Sequence, residues 1–190
     1  MSTDLIRERG PALISNKSYI VYKTLNELRE NVGDSEFGYR VQGIFAATLV
    51  CLDVKILEIR PQGHPDIIGM KENEIIKFEV EALLGKSRER IVDKKDIEAI
   101  KPHNKSEKGY IAVLYCRFPL KWLLIKYDRL KRRRVSERIP IVTMECLNDK
   151  KFSNEFTECF YKLILSNATR LFTFTFHFLR NKALDGVKLI

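Results

Sequence analysis

The sequence predicts an α/β domain in which a mixed β-sheet is flanked by helices. Two observations indicate this class: three β-prone runs follow one another in the middle of the chain, and helical and β-prone segments alternate after them. At 190 residues the chain is long enough to bury one core without disulfide or metal support, and it contains no internal repeat. We therefore expect a single domain over residues 1–190, with its core at about 34–147 and helical extensions at both ends.

Two amphipathic helices are expected ahead of the strands. Apolar residues recur at helical spacing between Asn16 and Val32, and Gly33 marks the end of this first helix. Asp34-Ser35 offers an N-cap for a second helix over Glu36–Val50, whose glycines permit close packing on a sheet. An acid in the first turn of this helix suits the positive end of the helix dipole.

An antiparallel meander of three strands is predicted next. The strands cover residues 51–59, 64–70 and 74–83, and polar or glycine-containing turns separate them. Ser87 is then expected to cap a helix over residues 88–101. This order places the meander behind the second helix.

Helix and strand alternate in the remaining part of the chain. The apolar run 110–116 predicts a buried strand parallel to its neighbour, and residues 120–134 predict a helix. Residues 139–147 predict another strand, and 152–170 another amphipathic helix. Aromatic and polar residues alternate over 171–179 with strand period, which is typical of a core or dimer face, and stacking of these aromatics on nucleic-acid bases is the alternative.

The charge of the chain points to polyanionic partners. The formal net charge is +9 and the isoelectric point is near 9.4. Between Lys126 and Arg138, seven basic residues stand against two acids. Such a cluster either contacts backbone phosphates or forms a solvated helix end, and the segment alone does not decide between these two roles.

Cysteine usage and the absence of long apolar runs indicate the compartment. The four cysteines, at positions 51, 116, 146 and 159, show no CxxC spacing and lie within apolar runs, so we expect reduced core thiols. No run is long enough to span a bilayer, and the first ten residues lack the apolar core of a secretory signal. A cytoplasmic, intracellular protein without membrane association is expected.

Acidic residues recur on the predicted meander and on the helix before it. Gly63-His64-Pro65-Asp66 opens the second strand, Glu79-Val80-Glu81 lies thirteen residues after Asp66 on the third strand, and Glu36 begins the second helix. A hairpin brings carboxylates from adjacent strands to one sheet edge. Carboxylates held in this way bind divalent metals.

This order of elements and acids resembles the PD-(D/E)XK nuclease superfamily. The resemblance covers roughly residues 34–116 and implies a restriction-endonuclease-like core, with metal ligands on the hairpin and a further acid from the first core helix. It implies that Asp66, Glu79, the carbonyl of Val80 and Glu36 hold Mg²⁺ or Mn²⁺. The bound metal would lower the pKa of the attacking water and stabilise charge on the phosphate.

The chain departs from the family at one position. Glu81 stands where the family usually has a lysine, and the resemblance then implies that Glu81 acts as general base or as a metal ligand. Lys77, two and four residues before the two glutamates, should project from the same strand face and is an alternative source of positive charge. His64 is expected either to bond a phosphate or an acid, or to be structural.

The resemblance implies a metal-dependent endonuclease that hydrolyses DNA, including branched or single-stranded DNA. A homodimer is compatible with double-strand cleavage, which needs two sites. The expected nucleic-acid contacts are the basic residues Lys86, Arg88, Arg129, Lys131, Arg132, Arg133 and Arg134. Two alternatives stay open: a nucleic-acid-binding or assembly protein that kept the fold and lost catalysis, and an unrelated α/β interaction protein.

Overall fold

The computed structural model describes residues 9–60, 64–84, 89–91, 93–130, 138–167 and 188–189. The helices are α1 (Arg9–Val32), α2 (Asp34–Val50), α3 (Lys94–Ala99), α4 (Tyr127–Leu130), α5 (Ile141–Leu147) and α6 (Lys150–Asn167). The strands are β1 (Lys55–Ile59), β2 (Ile67–Lys71), β3 (Glu74–Leu83), β4 (Glu89–Ile91), β5 (Glu107–Tyr115), β6 (Lys121–Lys126), β7 (Arg138–Pro140) and β8 (Lys188–Leu189).

One mixed sheet organises the fold, with the strand order β6-β5-β3-β2-β1-β8. β1, β2 and β3 form an antiparallel meander, as predicted from the turn residues between them. β5 runs parallel to β3, and α3 lies in the connection between these two strands. β6 pairs antiparallel with β5, β8 is a two-residue edge strand, and β4 and β7 form a separate pair. The predicted α/β class with helices flanking a mixed sheet is confirmed.

The main core lies between the sheet and helices α1, α2 and α6. Its centre is an aromatic cluster in which Phe45 of α2 contacts Phe78 of β3, Trp122 of β6 and Phe156 of α6, with ring centroids 5.2, 4.9 and 4.5 Å away. All four side chains are buried. Burial of each side chain contributes about 2–3 kcal/mol, so this cluster holds α2 firmly against β3.

A smaller core covers the opposite face of the sheet. Ile97 and Ile100, in and just after α3, pack with Val113, Leu123 and Met144, which come from β5, β6 and α5. The sheet is therefore covered on both faces, which explains why β5 and β6 are nearly continuous apolar runs.

Two predicted elements are wrong. Within the predicted helix 120–134, β6 occupies Lys121–Lys126 and only Tyr127–Leu130 is helical, while residues 131–137 lie outside the described part. An apolar run buried on both faces carries no period that separates strand from helix. The predicted strand 139–147 is α5 over most of its length, since β7 ends at Pro140.

Other boundaries differ in smaller ways. Residues 89–91 of the predicted helix 88–101 form β4, and the helix itself begins after Asp93; Ser87 lies outside the described residues. The N-cap of α2 is Gly33, with φ +80°, rather than Asp34-Ser35. Asp34 instead forms an ion pair with Arg29 at 2.6 Å. Helices α1, α2 and α6 and strands β2, β3 and β5 agree with prediction to within a few residues, except that α1 begins at Arg9.

The cysteines are free, as expected, and Cys116 packs against the main core, but none of the four is fully buried. Cys51 and Cys146 are exposed, and Cys116 and Cys159 are half-buried. None of the described helices combines the length and apolar character needed to cross a membrane. The predicted strand at 171–179 lies outside the described residues.

Gly109 is required by the approach of α3 to β5. A Cβ atom at this position would lie 1.8 Å from the backbone oxygen of Ile100, whereas a Cβ at Gly38 in α2 would meet nothing within 4 Å. We predict that Gly109→Ala lowers the free energy of unfolding by at least about 3 kcal/mol. Gly38→Ala should raise it by about 0.5–1 kcal/mol, because alanine favours the helix. Urea unfolding of both variants tests this, and equal effects would contradict the observed helix-to-strand contact.

Candidate metal centre

An open cavity of about 390 Å³ lies where α2 crosses the start of β2 and the second half of β3. Its polar lining comes from α2, from the residues just before β2 and from β3, and it contains three of the predicted acids, Asp66, Glu79 and Glu81. The lining residues are Asp34, Ser35, Gly38, Tyr39, Val41, Gln42, His64, Asp66, Glu79, Val80, Glu81, Ala82 and Leu84.

Asp66 lies at the inner end of this cavity, directly before β2. Its Oδ1 accepts a hydrogen bond from Nε2 of Gln42 at 3.0 Å, and its Oδ2 accepts one from the backbone N–H of Val80 at 2.8 Å. The residue is only 6% exposed. One bond comes from α2 and the other from β3, so the carboxyl orientation is set by two separate elements.

Glu79 is the neighbouring carboxyl group on β3. The β2–β3 register pairs Ile67 with Phe78, which brings Glu79 level with Asp66. Glu79 is 3% exposed, and its Oε1 lies 2.6 Å from Nδ1 of His64. Its Oε2 is buried and has no hydrogen-bond partner among the described residues, while the nearby backbone N–H of Asp66 acts on the carboxylate only by lowering its pKa. A buried oxygen of this kind costs free energy unless a cation or proton satisfies it.

Asp96 brings a third buried carboxyl group to the same place. It lies in the first turn of α3, where its Oδ2 accepts a hydrogen bond from the backbone N–H of Asp93 at 3.2 Å. Its Oδ1 is 3.7 Å from Nδ1 of His64. One donor atom each from His64, Glu79 and Asp96 lies within 4.8 Å of the others.

Burial and neighbouring negative charges raise the pKa values of Asp66 and Glu79. Burial raises the pKa of Asp66 to about 8, and the charges of Glu79 and Glu81 act in the same direction. Burial also raises the pKa of Glu79 to about 8, with Asp96 as its strongest charged neighbour. A bound divalent cation would reverse this effect by favouring the ionised forms.

Two of the predicted site residues are not brought to the cavity. Glu36 lies in the first turn of α2, half exposed, and forms an ion pair with Arg40 at 3.0 Å. Lys77 is buried, but its Nζ lies 2.7 Å from Oε2 of Glu107, and this contact lowers the pKa of Glu107. Neither Glu36 nor Lys77 lines the cavity.

Val80 and Glu81 do lie at the cavity, and Glu81 is half-buried there. Among the predicted nucleic-acid contacts, Arg129 donates hydrogen bonds to the backbone oxygens of Leu147 and Asn148 at the end of α5. The other six, Lys86, Arg88, Lys131, Arg132, Arg133 and Arg134, lie outside the described residues.

Gln42 and Asp96 are site residues that the sequence analysis did not identify. Gln42 follows Gly38 by one helical turn, so both residues lie on the same face of α2. Gly38 has no side chain to fill the cavity, and the amide of Gln42 lies beside this open space. A glycine followed by a polar residue at this spacing is the signal available in the sequence. Asp96 stands three residues after Asp93, a spacing typical of a capping box. Capping alone accounts for an acid at this position, so the sequence gives no separate signal for a role in the site.

The donor set fits a divalent cation. Carboxylate oxygens of Asp66 and Glu79 suit Mg²⁺ or Mn²⁺. The unsatisfied Oε2 of Glu79 supplies a specific place for such an ion. In the described part of the chain, no lysine or arginine nitrogen lies within 4.0 Å of either carboxylate, so a cation would supply charge that these described residues do not.

Comparison of the sequence with models of known protein families gives no match, and no curated protein is significantly similar. Interpretation of the cavity consequently depends on its own residues. Its distinguishing features are buried, mutually repelling carboxyl groups on adjacent strands and an imidazole in direct contact with one of them.

The raised pKa values predict a pH dependence of stability in the absence of divalent cations. A carboxyl group whose pKa is about 8 when folded and near 4 when unfolded stabilises the fold fully below pH 4 and loses this contribution as pH rises through 8. In EDTA, the free energy of unfolding should fall between pH 5.5 and 7.5 by up to about 1.4 kcal/mol per pH unit for each group.

Asp66→Asn should make this decline shallower, because one of the two contributions is removed. Urea unfolding across the pH range measures the slope. Glu98→Gln, which changes an exposed carboxylate of α3, is the matched control and should keep the parent slope. A slope that Asp66→Asn leaves unchanged would mean that Asp66 is already ionised in the folded protein.

Proposed function

We propose that this protein is a metal-dependent endonuclease that hydrolyses phosphodiester bonds in DNA, with a restriction-endonuclease-like core. The observation that carries the proposal is the pairing of Asp66 and Glu79 at the base of an open cavity, with one buried glutamate oxygen unsatisfied. Asp66 and Glu79 are the residues that would hold the ion. When bound, it would lower the pKa of an attacking water and stabilise charge on the phosphate.

The order of elements supports the proposed core. Helix α2, the β1–β2–β3 meander, helix α3 and the parallel strand β5 follow each other as the resemblance to PD-(D/E)XK nucleases requires. The position of Asp66 directly before β2, level with Glu79 on β3, also supports the proposal. The acid from the first core helix is the exception, since Gln42 rather than Glu36 reaches the cavity.

The residues around the pair have distinct tasks. Gln42 and the backbone N–H of Val80 hold the two oxygens of Asp66 in one orientation, which is a positioning role. Glu81 lies at the cavity on the same strand face as Glu79 and is the group able to accept a proton from water. Lys77 has no part in this arrangement, because it is paired with Glu107.

Cleavage assays test the proposal. Wild-type protein with Mg²⁺ or Mn²⁺ should cut plasmid, branched or single-stranded DNA, and EDTA should abolish cutting. Asp66→Asn and Glu79→Gln should each reduce the rate by at least about 100-fold, because each removes a charged oxygen from the ion site. Gln42→Ala should cost about 10–100-fold, because it frees the Asp66 carboxyl from one of its two bonds.

Glu98→Gln is the control for these variants. It changes an exposed carboxylate of α3 that does not line the cavity, so the cleavage rate should stay within about threefold of wild type. Circular dichroism at each condition checks that the variants are folded. If the wild type cuts none of the substrates with either metal, the catalytic proposal fails.

A second candidate function is DNA binding without catalysis. It is favoured by one observation: the position that carries lysine in most of the family is Glu81, and the nearest lysine on that strand face is held by Glu107. A protein that retards DNA in gel-shift experiments with and without metal, but cuts none of it, would fit this function.

The variant Glu81→Gln tests whether Glu81 acts as a general base in cleavage or has no part in the chemistry. If Glu81 takes the proton from water, the variant should lose about 100-fold or more in cleavage rate while DNA retardation stays unchanged. Measurement of both quantities on the same preparation provides the comparison. A variant that cuts as fast as wild type would remove Glu81 from the proposed chemistry and leave Asp66 and Glu79 in place.

A further inference from the structure

We propose that His64, Glu79 and Asp96 form a second cation position, next to the one at Asp66 and Glu79, and that its nitrogen ligand selects Mn²⁺ or a similar transition metal over Mg²⁺. The inference deepens the proposed function, since it shares Glu79 with it. The resemblance that suggested the first position includes neither His64 nor Asp96 as metal ligands.

The geometry of the three side chains carries the proposal. Nδ1 of His64 lies 2.6 Å from Oε1 of Glu79 and 3.7 Å from Oδ1 of Asp96. Donor atoms about 2.1 Å from an octahedral ion lie about 3 Å apart, so these atoms need only small shifts to share one. An ion here would replace the hydrogen bond between His64 and Glu79.

Burial supports a cation rather than a surface cluster. Glu79 and Asp96 are 3% and 5% exposed, and Oε2 of Glu79 is buried without a partner among the described residues. His64 contacts both acids, and no lysine or arginine nitrogen of the described residues lies within 4.0 Å of either one. Two carboxylates that are buried together in their ionised forms need more positive charge than one imidazole supplies, and a cation at this position would supply it.

The second oxygen of Glu79 explains how two positions coexist. A carboxylate can bridge two ions through its two oxygens, and ions bridged in this way lie about 3.5–4 Å apart in two-metal sites. His64 lies against Oε1 of Glu79, which leaves Oε2 for the position shared with Asp66. The helix α3 therefore contributes a ligand to the site in addition to covering the sheet.

Donor chemistry sets the choice of metal. Mg²⁺ favours an all-oxygen shell with several waters, whereas imidazole nitrogen suits transition metals. We expect Mg²⁺ to compete well at the Asp66 position and poorly at the position with His64. Mn²⁺ should therefore occupy both positions, and excess Mg²⁺ should displace only one of the two.

Manganese titration followed by electron paramagnetic resonance tests the inference. Wild-type protein should bind two Mn²⁺ per chain, and pulsed measurements should detect nitrogen coupling from one of them even with excess Mg²⁺. His64→Gln should remove that coupling, while His103→Gln, on an exposed loop, should keep it. Asp96→Asn should weaken one site by about 10–100-fold.

Asp96→Asn retains an oxygen that can accept the bond from Asp93, so α3 should keep its start; thermal unfolding verifies this. Glu98→Gln on the same helix is the control and should bind both ions. A wild-type protein with one Mn²⁺ and no nitrogen coupling would overturn the inference even if it cuts DNA. Two ions with nitrogen coupling but no cleavage would uphold the inference and overturn the proposed catalysis.

Discussion

The burial of two neighbouring carboxyl groups, Asp66 and Glu79, is the constraint to which the rest of the structure responds. Each group loses its hydration, which raises its pKa. The charge of Glu79 raises the pKa of Asp66 further, and the charge of Asp96 raises the pKa of Glu79 further. Such a pair is stable only when protonated or when a cation balances it. The packing of α2, the hairpin and α3 must therefore supply enough stability to hold an arrangement that is unfavourable by itself.

Strand β3 carries Glu79 of the buried pair and also contributes side chains to the main core, whose packing offsets the free-energy cost of burying the carboxyl groups. Its side chains alternate, so Phe78 and Val80 enter the main core while Glu79 and Glu81 face the other side. Phe78 contacts Phe45 of α2, and the same helix carries Gln42 to Asp66. A shift of α2 along the sheet would disturb the aromatic cluster and the Asp66 bond together, which makes the orientation of the carboxyl group a property of the core.

The features of this site that depend on local sequence signals were predictable, whereas those that depend on the packing of helices on the sheet were not. The β2–β3 hairpin was predictable because turn residues and strand period are local signals, and they place Asp66 beside Glu79. Gln42 and Asp96 depend on where two helices settle on the sheet. Likewise, strand period places Lys77 on the same face as Glu79, but it does not show that Glu107 at the start of β5 pairs with the Lys77 amine. The apolar run of β6 was mistaken for helix because both of its faces are buried.

The pairing of Lys77 with Glu107 has a consequence for how a phosphate could approach. The cavity holds Asp66, Glu79 and Glu81, and its nearest strand lysine is already neutralised. When Asp66 and Glu79 are ionised, these cavity carboxylates would repel a phosphodiester, and a bound cation would remove that repulsion. The chain as a whole carries a net charge of +9, and under the proposed function this charge would attract DNA. Under the same proposal, overall DNA affinity would fall as the salt concentration rises, whereas entry of a phosphate into the cavity would depend on the divalent metal, because the two steps have separate physical origins.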